Sequence, residues 1–247
     1  GDVYKRQFNV NDERGFYHCF GCQASGDVFK FVMETEGLSF IEAIRSLGER
    51  FGIEVRDDMT SAERKRADAA RRRNLSIVEA NAAAAHFYAQ ALTRDPGGKV
   101  AIAELGRRGL TLEGEHATTL KSFKIGYAPD SWEALVNYFQ RAGVDLSTAE
   151  EAGLVGRRKT GNSYYDRFRH RLMFAIIDLH GQIVGFSGRA LQPLKSDEAP
   201  DKAKYMNSPE TAVYKKRSTV FGLYQARNAL RAGEPAIIVE GNFDVMS

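Results

Sequence analysis

Residues 8 to 22 read as two short strands, Phe8 to Asn11 and Phe16 to Cys19, joined by the polar turn Asp12 to Gly15. The pattern then changes to helical spacing. Val28, Phe29, Val32 and Met33 lie on one face of a first helix, and a second opens on the capping-box pair Ser39 and Glu42 with Phe40, Ile41, Ile44 and Leu47 as its apolar face. Gly52-Ile53-Glu54-Val55 closes this unit. From Arg56 to Arg73 the chain carries seven basic and four acidic residues, and it runs on into an alanine-rich stretch, Glu79 to Ala91. One long connecting helix is expected, with an interruption near Asn74 left open, and its early half reads as a linker. The arginines of that half suit a solvated helix face or contact with nucleic acid, and the pattern allows both.

The second body mixes element types. Helices are expected over Ile102 to Arg108, Ser131 to Arg141 with Ser131 as cap, Ser147 to Ala152 and Leu223 to Ala232; Lys121 to Tyr127 reads as extended. Leu172 to Leu179 and Gln182 to Phe186 form a hairpin around His180-Gly181. Helices with antiparallel strands indicate an α+β fold. Ala236 to Val239 is apolar on both faces, as in a strand buried within a parallel sheet, so a further domain is expected to begin there.

Composition narrows the class. With 247 residues, 43% of them hydrophobic and 11% aromatic, the chain can build real cores, which argues against disorder. The formal net charge is only +3, yet residues 157 to 217 hold thirteen Lys or Arg against six Asp or Glu, so a polyanion-binding face is expected in that region. Two cysteines argue against a disulfide scaffold, no apolar stretch approaches the roughly 20 residues of a membrane span, and no signal-peptide core opens the chain. A cytoplasmic protein is expected. The chain does not open on Met and stops soon after a helix is expected to begin, so it reads as a fragment.

Five constellations carry candidate chemistry. Cys19-x-x-Cys22 has the spacing of half a tetrahedral zinc site; a redox dithiol and two plain buried thiols are the alternatives. Arg167, Arg169 and Arg171 alternate, and in an extended chain would share one face suited to phosphates or to keeping a sheet edge soluble. Gly185 and Gly188 bracket the end of a strand before Arg189, where a backbone can approach a ligand closely. Lys204, Tyr205 and Asn207 offer a charge, an aromatic plane and an amide, or simply form a turn ahead of Pro209. Glu240, at a strand end, and Asp244, in the first turn of the next helix, place two carboxylates where α/β sheets bind ligands and hard cations; a solvated strand end and a helix N-terminal charge are the plainer reading.

Taken in order, His18-Cys19-Phe20-Gly21-Cys22 with Ser25-Gly26-Asp27, Gly126-Tyr127-Ala128-Pro129, Tyr165-Asp166-Arg167-Phe168-Arg169, Gly185-Phe186-Ser187-Gly188-Arg189, Lys204 to Thr211 and Glu240-Gly241-Asn242-Phe243-Asp244 resemble the bacterial, DnaG-type DNA primases. The resemblance covers nearly the whole chain. It implies a CHC2-type zinc ribbon over residues 1–55, a charged helical linker over 56–74, the N-terminal part of the RNA polymerase core over 75–234, and the first strand of a Toprim domain over 235–247. It implies synthesis of short RNA primers on a single-stranded DNA template from ribonucleoside triphosphates, with structural Zn²⁺ and catalytic Mg²⁺. A replicative helicase would bind through a domain beyond Ser247, and a monomer is expected. Cys19 and Cys22 are then zinc ligands; Arg108, Arg167, Arg169, Arg189, Lys204, Tyr205 and Asn207 hold template, primer or nucleotide; Glu240 is the Toprim glutamate and a Mg²⁺ ligand, with Asp244 its acidic companion. Gly1 to Gln7 depart from the family pattern, Gly1 standing where a zinc His is expected, so a half-site that binds zinc poorly is anticipated. Asn242 replaces the usual aromatic of the Toprim motif. The intact parent is expected to be a polymerase and this chain alone inactive. The other readings are a module that only binds single-stranded DNA and a mobile-element or phage primase relative; a topoisomerase or nuclease fits the basic motifs less well.

Overall fold

The computed structural model describes residues 8–21, 23–55, 60–159, 161, 163–191 and 203–246, which group into two compact units, one up to Arg64 and one from Lys65 onward. Gly1 to Gln7 and Cys22, part of the expected zinc ribbon, lie outside these residues.

In the first unit β1 (Phe8–Asn11), β2 (Phe16–Cys19) and β3 (Ser25–Asp27) form an antiparallel sheet in that order, with Phe8 opposite Cys19 and Tyr17 opposite Gly26. Two helices follow, each with a full set of stop signals. Asp27 accepts from the Lys30 amide to start α1 (Val28–Glu36), which ends at left-handed Gly37. Ser39 and Glu42 form the expected reciprocal capping box of α2 (Phe40–Phe51), and Gly52 closes it. The helices meet through Val32, Ala43 and Leu47, supported by Phe29, Met33 and Leu38. Phe40 and Ile41, expected in this core, are exposed instead: the seam runs through Ala43, Leu47 and Gly48, and Phe40 is left at its edge against the Phe29 ring. Ser39→Ala, which removes the hydroxyl that accepts from the Glu42 amide and leaves the residue-39 amide to donate to Glu42 alone, is expected to lower the stability of this unit by about 1 kcal/mol in denaturant unfolding.

The helix α3 (Ser61–Arg94) is continuous over 34 residues, with Asn74 inside it and no interruption, and belongs to the second unit from Lys65 onward. Its residues up to Ser76 are exposed; beyond them Ile77, Ala80, Ala84, Ala85, Tyr88, Ala91 and Leu92 bury one face. Small alanines let the helix sit close to β4 (Gly126–Ala128), where a side chain on Gly126 would meet the Tyr88 backbone.

The main sheet is antiparallel in the order β4, β7 (Arg171–Ile177), β8 (Ile183–Ala190), β9 (Tyr205–Asn207), and the β7–β8 hairpin forms as expected around His180-Gly181. All seven residues of β7 are buried because the sheet is covered on both faces. Met173, Ala175 and Ile177 enter a core with α3, Leu135 and Phe139, whereas Leu172 and Phe174 enter another with Leu105, Leu120 and Phe243. A small hairpin, β5 (Val155–Arg157) with β6 (Tyr164–Asp166), lies apart from that sheet. The remaining helices are α4 (Gly98–Arg107), α5 (Glu115–Ser122), α6 (Ala134–Ala142), α7 (Leu146–Glu151) and α8 (Leu223–Arg231). The α+β class is therefore as expected, and among the described residues no helix is long and apolar enough to cross a membrane.

Three segments differ from expectation. Residues 121 to 127 are not one extended run: α5 continues to Ser122, then Lys124 turns left-handed at φ 50°, with its amide on Lys121 O and that of Ile125 on Leu120 O. This is a Schellman closure with Lys in the place usually taken by Gly. Ser131 does not cap α6, which begins at Ala134. Ala236 to Val239 forms no strand; Ile237 and Ile238 are 87% and 94% exposed. A buried parallel strand needs neighbours to receive its backbone groups, and no described segment pairs with this one.

Candidate functional site

The site is built on the end of β8. Its register sets Arg189 opposite Tyr205 and Ser187 opposite Asn207 on β9. The Arg189 side chain is nearly buried; its Nε and Nη2 lie 3.1 Å from Glu104 Oε1, and its Nη1 donates to the Tyr205 hydroxyl at 3.0 Å. Glu104 projects from α4 and gathers two more guanidiniums, Arg107 at 2.6 Å and Arg108 at 3.6 Å. Burial opposes charge on Glu104, but the Arg107 hydrogen bond and the charges of Arg189, Arg107 and Arg108 prevail and hold its carboxyl below the ordinary range. One carboxylate thus fixes three arginines. Beneath them the Phe243 ring, buried against Phe174, carries Arg108 at 5.0 Å and Arg189 at 5.5 Å from its centroid.

Beside this cluster opens a cavity of about 330 Å³ lined by Ser187, Tyr205, Asn207, Lys216 and Glu240 among others. Asn242 donates to Ser187 at 3.1 Å, tying the 240–244 turn to β8. Asp244 accepts from the Gly241 amide at 3.0 Å, so it closes its own turn, and no described helix follows it. Lys204 is exposed, and its carbonyl receives the Ala190 amide. The structure therefore brings Arg108, Arg189, Tyr205, Asn207 and Glu240 to one region.

Arg167 and Arg169 are not part of it, and the expected row of arginines does not form. His170 takes a left-handed φ of 48°, which breaks the extended chain, and Arg171 is buried, donating to the carbonyls of Gly188 and Ala203. Arg169 instead lies 3.9 Å above the ring of Trp132, with Arg158 at 5.7 Å and the Tyr165 ring edge-on to the indole. Trp132 is half exposed, so this is an aromatic platform flanked by cations. The glycines of β8 also serve packing: a side chain at Gly185 would press on Ser208, and one at Gly188 on Arg171 and Phe168.

Glu104, Lys216 and Trp132 are not singled out by the sequence, and Phe243 enters there only as part of the 240–244 motif, with no role of its own. For Glu104 a signal existed, since it falls beside Ala101 and Leu105 on the buried side of α4.

Among the described residues the expected metal sites, zinc at Cys19 and Mg²⁺ at Glu240, are incomplete. At the first, Cys19 closes a knuckle by donating to Ala24 O and accepting from the Gln23 amide, both at 2.8 Å. Among the described residues no three His, Cys, Asp or Glu side chains gather as a metal would require. Among the described residues, which do not include Cys22, the donors present make up neither a complete zinc centre nor a complete Mg²⁺ centre.

Comparison with known proteins decides the family. A family model for the DNA primase catalytic core, N-terminal domain, matches residues 87–227, more than half of the chain. The chain belongs to the DNA primase family. A second model, the CHC2 zinc finger, matches residues 4–63. Among curated primases the chain is 41% identical to that of Deinococcus radiodurans and 36% to that of Staphylococcus aureus, over 97% of its length in both cases. It spans 37% and 38% of those two proteins. Among solved structures, the RNA polymerase domain of Mycobacterium tuberculosis primase in complex with double-stranded DNA is 38% identical with a TM-score of 0.61, covering 69% of this chain and 50% of that one. The zinc-binding and RNA polymerase domains of Aquifex aeolicus primase are 30% identical with a TM-score of 0.56, covering 97% and 52%. A reading as a noncatalytic binding module alone is not favoured by these primase matches.

Proposed function

We propose that this chain supplies the template and nucleotide grip of a DNA primase, a DNA-directed RNA polymerase that makes short primers on single-stranded DNA. The observation that carries this reading is the Arg189 cluster: three guanidiniums oriented by one carboxylate and joined, through the Arg189–Tyr205 hydrogen bond, to a cavity lined by Tyr205, Asn207 and Glu240. Arginines held in a fixed fork suit phosphate oxygens, and a neighbouring aromatic plane with an amide suits a base. Arg108, Arg189, Lys204, Tyr205 and Asn207 then hold nucleotide or primer near Glu240, whereas Trp132 and Arg169 form a stacking platform for the single strand. Arg167, half-buried, is assigned no contact.

The reading includes the boundaries 1–55, 56–74, 75–234 and 235–247 for zinc ribbon, linker, core and the start of the Toprim domain, and Cys19 with Cys22 as two ligands of structural zinc. Glu240 is assigned one Mg²⁺ position and Asp244 the support of its turn, so the chain alone is not expected to make primers. Ribonucleoside triphosphates, an RNA primer and a replicative helicase complete the partners of a cytoplasmic, monomeric enzyme. The test on the platform is Trp132→Ala, which is expected to weaken binding of a labelled single-stranded oligonucleotide about tenfold, the loss of one stacked base. Affinity equal to wild type would remove the platform from the reading.

A further inference from the structure

Asp166 ends β6, is 2% exposed, and is bonded in four directions. Its carboxylate accepts from the backbone amides of Leu135 at 2.7 Å and Val136 at 2.9 Å. Its own amide donates to the Trp132 carbonyl at 2.7 Å, and its carbonyl accepts from the Arg169 guanidinium. Glu133, at the N-cap position of α6, makes no side-chain cap bond. The cap is thus provided from a distant hairpin, and the negative charge sits at the positive end of the helix. Burial pushes the Asp166 carboxyl up, while the Leu135 and Val136 amides and the Arg169 charge pull the other way.

These bonds reach both halves of the platform. An exposed cation–π contact is too weak to immobilise an arginine and an indole by itself, because each side chain loses rotamer freedom when held. Something must fix the two backbone turns first. Asp166 fixes the first through its amide on the Trp132 carbonyl and its carboxylate on the Leu135 and Val136 amides, and holds the Arg169 guanidinium directly on its own carbonyl.

We propose that Asp166 is a positioning residue for the Trp132–Arg169 platform, locking the turn that leads into α6 to the end of β6, whose carbonyl holds the Arg169 guanidinium, so that the indole meets a base with the guanidinium already in place. The inference rests on the reading of that platform as a single-strand stacking surface. Preorganisation of this kind lowers the ordering cost of binding, so its loss is felt in affinity even though Asp166 touches no nucleic acid.

Trp132 is the sole tryptophan of the chain, so its fluorescence reports this place alone. Asp166→Asn keeps the side-chain size but sets an amide where a backbone N–H needs an acceptor. With far-ultraviolet circular dichroism unchanged, the expected result is Trp132 more accessible to acrylamide, and affinity for a single-stranded thymidine oligonucleotide about tenfold weaker. Ile183→Val, a core change away from both turns, should leave Trp132 accessibility unchanged. Unaltered accessibility in Asp166→Asn overturns the positioning role whatever the DNA result; unaltered affinity in Trp132→Ala overturns the stacking reading on which it rests. Should Asp166→Asn fail to fold, amide hydrogen exchange in the wild-type chain decides: Leu135 and Val136 as protected as β7 supports the lock, and exchange at the rate of a frayed helix end overturns it.

Discussion

Replacing Arg189 with alanine is expected to weaken single-stranded DNA binding at least tenfold and to lower the slope of log affinity against log salt by about one, the signature of a lost phosphate contact. The side chain is nearly buried, fixed by Glu104 and Tyr205, and lies 5.5 Å from the centroid of Phe243, so little ordering remains to be done when a phosphate arrives. The same substitution should cost about 2 kcal/mol of stability. That is below the roughly 3–5 kcal/mol for breaking an isolated buried pair, because Glu104 keeps Arg107 and Arg108. Arg189→Lys separates charge from geometry: an ammonium preserves the charge but cannot bond Glu104 and Tyr205 as the fork does, so most of the affinity loss should persist. Lys204→Ala, at an exposed position, should weaken binding without changing stability. Arg189→Ala with wild-type affinity at every salt concentration would place the grip elsewhere.

The largest stability effect is expected at Phe186. Its ring is fully buried at the centre of β8, 5.5 Å from the Tyr88 ring and 6.4 Å from Phe168, and thereby joins α3, the sheet and the segment before Arg171. Phe186→Ala removes those contacts and leaves a cavity that rigid neighbours cannot fill, at a cost of about 4 kcal/mol. Against a typical domain stability of about 5–15 kcal/mol this is a large fraction, and nucleic-acid binding should fail with it, since Ser187 and Arg189 lie on the same strand. Urea unfolding followed by Trp132 fluorescence measures it; a loss under about 1 kcal/mol would mean that this core is less tightly coupled than the packing shows.

What the sequence revealed depended on how local the controlling interaction is. The first two strands, the capping box at Ser39 and the β7–β8 hairpin were legible because each is decided by residues within a few positions of one another. The helix after Glu133 was seen, but its cap was misplaced, because the capping carboxylate lies some thirty residues away at Asp166. Lys124 concealed a helix end that Gly would have announced, and the left-handed turn at His170 broke an alternation that had promised a row of arginines. At the site, Arg189, Tyr205 and Asn207 stand out in the sequence through two separate local motifs, whereas the pairing of β8 with β9 that brings them together is not legible there. Arg108 is indicated only by the resemblance, and Glu104, which orients it, is marked only by its place beside Ala101 and Leu105 on the buried side of α4, a weak signal for an acidic residue within a basic face. Ala236 to Val239 was read correctly as apolar on both faces, but a strand also needs a neighbour.

The most direct test of the central claim is a salt titration of wild-type chain with a single-stranded oligonucleotide, read both by a label on the DNA and by Trp132 emission. The account predicts affinity that falls linearly on logarithmic axes as salt rises, together with a change in Trp132 emission on binding. Binding that ignores salt, or that leaves Trp132 emission untouched, would contradict it.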